Sequence, residues 1–150
     1  VCILMNELYP IWWDTTITIF NKYTDPNTRV VSWYSTCIKN CFWKVVDSKV
    51  DNTNTTKDTT GVICRIPINT KFKESTVWES LGDKKAKFFT LKPNDIIIRG
   101  KITDTIDEYQ PGKTSTDFMK VYEDKCIQIN TVAIDTMTGV GMPHYRVVGK

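Results

Sequence analysis

The chain has one histidine, His144, among 150 residues, and it contains no Gly-x-Ser-x-Gly motif and no Gly-rich phosphate-binding loop. Metal patterns that depend on histidine ligands are therefore excluded, as are the nucleophile and nucleotide motifs that short sequences reveal most clearly. A lone histidine close to the end of the chain is more often a structural residue than a catalytic base. We predict that the protein is not an enzyme and binds neither cofactor nor metal.

Strong charge is also lacking, because the net charge is only +3. Nucleic-acid-binding domains usually carry a much larger basic excess. No run of about 20 apolar residues occurs, so no helix is expected to span a membrane. At the start of the chain, Val1 is followed by an internal Met5, which leaves open whether residues 1–4 belong to the working protein.

Five cysteines form an odd set without an evident export signal, and reduced thiols are the expectation. Cys37 and Cys41 invite a metal interpretation, but both fall in a segment with strand character. Four residues of strand span roughly 13 Å, which is too far for two ligands of one ion. Buried apolar cysteines are the better interpretation.

What the chain has in abundance is threonine, about one residue in seven, while Ala and Leu are scarce. Threonine and the other β-branched and aromatic residues favour strands, and Ala and Leu favour helices. The sequence therefore predicts a mainly β fold, either a small antiparallel β-barrel or a compact sandwich, with long loops and one short helix. We expect residues 1–13 to be a lead-in and residues 14–150 to be one domain.

Alternating and apolar segments predict six or seven short strands, bounded by turns such as Asp25–Asn27 and Lys92–Asp95. A short helix over 116–122, capped by Thr114 or Ser115, is expected to bury Phe118, Val121 and Tyr122. The core is expected to contain Ile96, Ile98 and Ile102 together with Ile17, Ile19 and Ile129. The predicted strands cover residues 15–20, 30–36, 37–46, 62–68, 96–102, 126–134 and 144–148.

Two polar stretches cannot serve a core and are the candidate functional loops. The first, 47–60, has a net charge of −1 from Lys49 and Lys57 against Asp47, Asp51 and Asp58. The second, 71–87, has a net charge of +2, and its run at 83–87 is expected to be an exposed turn. The basic candidates in that second stretch are Lys84, Lys85 and Lys87.

Aromatic residues next to basic ones can stack bases in oligonucleotide-binding barrels. Trp33, Tyr34, Phe42, Trp43 and Lys44 have this composition. The alternative interpretation, which we favour, is that these aromatic side chains fill the core or a subunit interface. A nucleic-acid-binding β-barrel remains the alternative from a different functional class.

Several segments together resemble a family of phage and prophage proteins of unknown function that is encoded among head–tail connector genes. The resemblance runs from about residue 14 to the end of the chain, and its motifs are structural. A looser similarity is to the head-closure, or stopper, proteins of long-tailed phages. The segments are TITIFNKY (16–23), WYST (33–36), CFW (41–43), VICRIP (62–67), KPNDIIIRG (92–100) and PHYRVVGK (143–150).

This resemblance implies a small barrel that repeats as a homo-oligomeric ring in the virion neck, assembled in the cytoplasm of the bacterial host. Its partners would be the portal or adaptor and the tail proteins, with non-specific contact to packaged DNA. The loops 47–60 and 71–87 would project into the channel or towards a neighbouring ring. A minor tail or tail-completion protein is the alternative within the same setting.

Overall fold

A computed structural model describes residues 10–52, 55–135 and 143–150, and for 47–52 and 55–60 it describes the backbone alone. Residues 1–4, whose place in the working protein the sequence left open, lie outside this set. Six strands close into an antiparallel barrel in the order β1-β2-β3-β6-β5-β4. The prediction of a small antiparallel β-barrel is confirmed, and the sandwich alternative is wrong. The strands are β1 (Thr15–Thr24), β2 (Val31–Asn52), β3 (Thr55–Pro67), β4 (Ile96–Arg99), β5 (Cys126–Asp135) and β6 (His144–Gly149).

The barrel consists of two three-stranded meanders, β1-β2-β3 and β4-β5-β6, joined along two seams. At one seam β1 pairs with β4, and at the other β3 pairs with β6. The predicted strands 30–36 and 37–46 are one continuous strand, β2, of 22 residues. A change of register between Ile129 and Thr131 in β5 marks a β-bulge.

The barrel interior is filled by apolar residues from all six strands, among them Ile17, Ile19, Ile97, Ile127 and Ile129. Ile97 of β4 lies opposite Ile19 of β1 and Ile127 of β5, so all three side chains share the inner face.

The prediction that Ile96 and Ile98 face the interior is wrong, because these two residues lie in a second cluster outside the barrel wall. Ile102, also predicted to be interior, packs against the same second cluster. We call it the outer cluster; it contains Phe20, Ile96, Ile98, Ile106 and Phe118. Both faces of β4 are buried, and an unbroken run of isoleucines then gives no sign of which residue points inward.

Helix α2 (Ser115–Val121) covers the outer cluster with Phe118. Thr114 caps it and forms a reciprocal capping box with Asp117, as the sequence predicted for this position. Tyr122 packs against the cluster, but Val121 is 72% exposed, so the expectation that it is buried is wrong.

The chain between β3 and β4 leaves the barrel, and the expectation of a single helix is wrong because two further helical turns form here. Helix α1 (Ser75–Glu79) is followed by a 3-10 helix (Gly82–Lys87). Trp78 of α1 is fully buried edge-on between Tyr23 and Tyr34, which lie on the same face of β1 and β2 as the interior residues Ile17 and Ile19. This aromatic contact holds residues 71–89 against β1 and β2.

Candidate functional site

The β2–β3 hairpin continues beyond the barrel. Strand β1 pairs with β2 no further than Cys41, and β6 pairs with β3 only from Val62 to Pro67. From Val46 opposite Gly61 to Asn52 opposite Thr55, β2 and β3 therefore pair only with each other. We call residues 46–61 the arm. Seven residues of strand extend it by about 20 Å.

The first set of predicted site residues lies on the arm: Asp47, Lys49, Asp51, Lys57 and Asp58. The sequence left two interpretations open for 47–60, a solvated loop or a hairpin tip, and the structure agrees with the hairpin because the backbone of 47–52 pairs with that of 55–60. The register places Lys49 opposite Asp58, which are opposite charges at a cross-strand pair. The described part of the arm is therefore a two-stranded ribbon.

The second set lies on the 3-10 helix and is not a uniform exposed turn. Lys84 and Lys87 are exposed, but Lys85 is only 4% exposed. The Lys85 ammonium lies 4.0 Å from the ring centre of Tyr23 and donates to the carbonyl oxygen of Gly82 at 3.4 Å. The prediction that Lys85 reaches a channel or partner is therefore wrong, since its charge is held against the barrel wall.

Lys87 lines a cleft of about 450 Å³ between the 3-10 helix and β2. We call it the basic cleft. Lys71 also lines this cleft. The nearby Lys73 ammonium lies 5.1 Å from the ring centre of Phe88. The cleft is lined by Ser35, Thr36, Cys37, Lys71, Ala86, Lys87 and Phe88.

A second, smaller cleft of about 270 Å³ is lined in part by the buried carboxylate of Asp95. Asp95 accepts hydrogen bonds from the Asn21 amide at 2.8 Å, from the Lys22 backbone N–H at 3.0 Å and from the Lys92 ammonium. Asn21 also joins both backbone groups of Thr90. This network ties β1 to the turn before β4, so we interpret Asp95 as structural.

The lone histidine begins β6 and is 9% exposed. Its ring lies edge-on to Trp13 with the ring centres 5.8 Å apart. Among the residues that the structure describes, no group of three potential metal ligands occurs. Within the same residues, no helix is long and apolar enough to cross a membrane.

Cys37 is disulfide-bonded, so the expectation of reduced thiols is wrong for this residue. The thiols of Cys41, Cys64 and Cys126 are free. Burial raises the pKa of Cys64 to about 12 and that of Cys126 to about 11, so both stay protonated near neutral pH. Protonated, buried thiols are poor nucleophiles and poor metal ligands.

The aromatic residues that suggested base stacking have partners within the protein. Trp33 donates to Glu108 at 3.1 Å, Tyr34 contacts Trp78, and Phe42 lies 6.1 Å from Trp13. Trp43 packs against the barrel interior. Trp43 thus contacts the interior cluster and Trp33 the outer cluster, which agrees only in part with the interpretation that these side chains fill the core.

Residues 12–150 match the model of a protein family described as "Family of unknown function (DUF6751)". The chain belongs to this family. No curated protein and no solved structure matches the chain. The DUF6751 match begins just before β1 and includes the arm, the basic cleft and every strand of the barrel.

Two features of this DUF6751 barrel escaped the sequence reasoning. The first is the burial of Trp78, which depends on Tyr23 and Tyr34, two residues distant in sequence. The contact between Asn21 and Asp95 joins residues 74 positions apart. No local pattern contains such information, although Asp95 directly before three isoleucines was a visible signal.

Proposed function

We propose that the chain is a structural, non-enzymatic subunit of the head–tail connector of a tailed phage, with head closure as its task. The resemblance of its segments to phage proteins encoded among head–tail connector genes supports this proposal. The observation that carries it is the arm, because an ordered ribbon beyond a closed barrel serves no purpose in the barrel's own core. In this proposal the subunits form a homo-oligomeric ring in the virion neck.

The arm suits a ring for two reasons. A head-to-tail arrangement brings different surfaces of neighbouring copies together, so a projection from one copy can meet the barrel of the next. A ribbon with two unpaired edges can also add strands from another chain. We infer that the arms reach the central channel or the adjacent ring, where portal, adaptor or tail proteins bind.

The test is a variant in which residues 47–60 are replaced by Asn-Gly. Val46 and Gly61 are paired in the native register, so a two-residue turn closes the hairpin without disturbing the barrel. In a phage that lacks this gene, we expect the variant to fold but to yield heads that leak DNA or fail to accept tails. The matched control replaces Lys84 and Lys87 by Gln, which keeps the arm.

Full infectivity of the shortened variant, with unchanged neck structure by electron microscopy, would rule out the arm as the working part. Loss of infectivity in the Lys84 and Lys87 variant alone would shift the function to the basic cleft. A virion in which antibodies locate the protein at the tail tip would favour the minor tail alternative. One observation favours the nucleic-acid-binding alternative: two arginine residues face each other on the outer surface of the barrel.

A further inference from the structure

On the outer face of the β3–β6 seam, Arg65 lies directly opposite Arg146. Like charges at a cross-strand pair destabilise a sheet. Neither arginine forms a salt bridge with an acidic side chain among the described residues. Two facing guanidinium groups without an anion are an unfavourable arrangement that the fold itself does not require.

Arg65 is also held in place. Its guanidinium lies 5.2 Å from the ring centre of Phe42, which is its cross-strand neighbour on β2. Its Nε atom is shielded from solvent and has no hydrogen-bond partner. Buried polar atoms almost always have partners, so an unpaired arginine nitrogen marks a place where a partner is missing.

Further positive charge lies on the same face. Lys44 is exposed, and it stands two residues from Phe42 on β2, so strand alternation places both on the outer face. Arg146 is exposed as well. The acidic residue of β5, Asp135, pairs with His144, two pairs along the strand from the Ala133–Arg146 pair.

We propose that Arg65, Arg146 and Lys44 form a binding site for the phosphate backbone of nucleic acid. Guanidinium groups bind phosphate oxygens in a bidentate manner, and one phosphodiester between two facing arginines removes their repulsion. These three side chains carry three positive charges without an ion-pair partner among the described residues, and one carboxylate neutralises only one of them. A chain of repeated phosphates therefore fits the site better than an acidic protein segment. The site contacts backbone rather than bases and reads no sequence. This site does not depend on the proposed ring assembly, because all three residues belong to a single chain.

The test measures binding of the full chain to a fluorescent duplex of random sequence by anisotropy, between about 50 and 200 mM salt. We expect affinity to fall with salt. Arg146→Gln and Arg65→Gln should each weaken binding several-fold and reduce the slope of log K against log salt by about 0.9. Lys120→Gln, an equal charge change at an exposed residue of α2, is the control and should leave the slope unchanged.

A second readout separates binding from folding. Arg146→Glu places an opposite charge across from Arg65, so its melting temperature should rise while DNA binding is lost. Lys120→Glu should not raise it. Wild-type binding without salt dependence, unchanged slopes in both arginine variants, or a lowered melting temperature for Arg146→Glu would each overturn the proposal. Stronger competition by polyglutamate than by unlabelled duplex would overturn it too, in favour of an acidic protein partner.

Discussion

At the scale of single residues, the most informative side chains are those of β4, a strand that is buried on both of its faces. Ile96, Ile97 and Ile98 are each exposed by 1% or less, yet they serve two different clusters. Ile97 belongs to the barrel interior, and its neighbours belong to the outer cluster. A four-residue strand thus joins two cores, and none of its three isoleucine positions is free to be polar.

We therefore expect Ile97→Ala and Ile98→Ala to cost similar amounts, about 2–5 kcal/mol each, because both remove fully buried methyl groups. Denaturant unfolding of each variant is the measurement. Ile134→Ala is the control, since Ile134 is 49% exposed and should lose far less. A loss at Ile97 as small as that at Ile134 would contradict the assignment of Ile97 to the interior.

Asp95 gives a second residue-scale prediction. Burial raises the pKa of its carboxyl above 3.8, although Lys92 acts in the opposite direction. A carboxyl with a raised folded pKa favours folding below its unfolded pKa, and this contribution is lost as the pH rises through the folded value. Asp95→Asn does not titrate at this position. Relative to this variant, the wild type should lose stability as the pH rises from the unfolded pKa of Asp95 to its higher folded pKa.

The measurement is the melting temperature of both proteins across that pH range. Asp25→Asn gives a control of opposite sign. Backbone hydrogen bonds from Asn27 and Thr28 lower the pKa of Asp25, so the wild type should gain stability over this variant as the pH rises. If Asp95 and Asp25 gave the same sign, the Lys92 ion pair would outweigh the burial of Asp95.

At the scale of elements, the sequence predicted correctly those features that depend on interactions between residues close together in the chain. The Thr114 cap was visible in the sequence. The arm was not, because its Thr-rich polar composition resembles a loop and its strand pairing comes from the register of β2 against β3. The burial of Lys85 was also missed, since it depends on Tyr23 from another element. The residues of the candidate site could be named from the sequence, but their backbone conformation could not.

Helix α2 offers the prediction at this scale. Thr114→Ala removes the side-chain oxygen that accepts from the Asp117 backbone N–H, and it should cost about 0.5–2 kcal/mol of stability. Thr116→Ala is the control, because Thr116 is exposed and lies inside the helix. Denaturant unfolding compares the two. Equal effects would mean that the outer cluster, rather than the cap, holds the first turn of α2 in place.

At the scale of the whole molecule, closure of the barrel depends on a close approach of β5 and β6. Gly149 of β6 pairs with both Val62 and Ile129. A Cβ atom at this position would lie 2.5 Å from the carbonyl oxygen of Gln128, which is closer than any real contact allows. Glycine is therefore required here by space.

Gly149→Ala should accordingly separate β5 from β6 and lower the melting temperature by several degrees. Gly61→Ala is the matched control, because its Cβ would meet only the Gly149 carbonyl oxygen at an ordinary 3.6 Å. Calorimetry of the two variants decides the matter. A Gly149→Ala protein that melts with the wild type would show that β6 can shift without opening the barrel.

The arm has a consequence for the timescale of backbone opening. Its amides are bonded within a ribbon of two strands, whereas those of the barrel belong to a closed sheet in which every strand has two neighbours. Protection from hydrogen exchange follows the free energy of local opening, which is lowest where a segment has few contacts. Deuterium should therefore enter residues 47–60 through local fraying, while the amides of β1 and β4 exchange only when the whole barrel unfolds. Slowed exchange in the arm alone, on adding a partner, would then report where that partner binds.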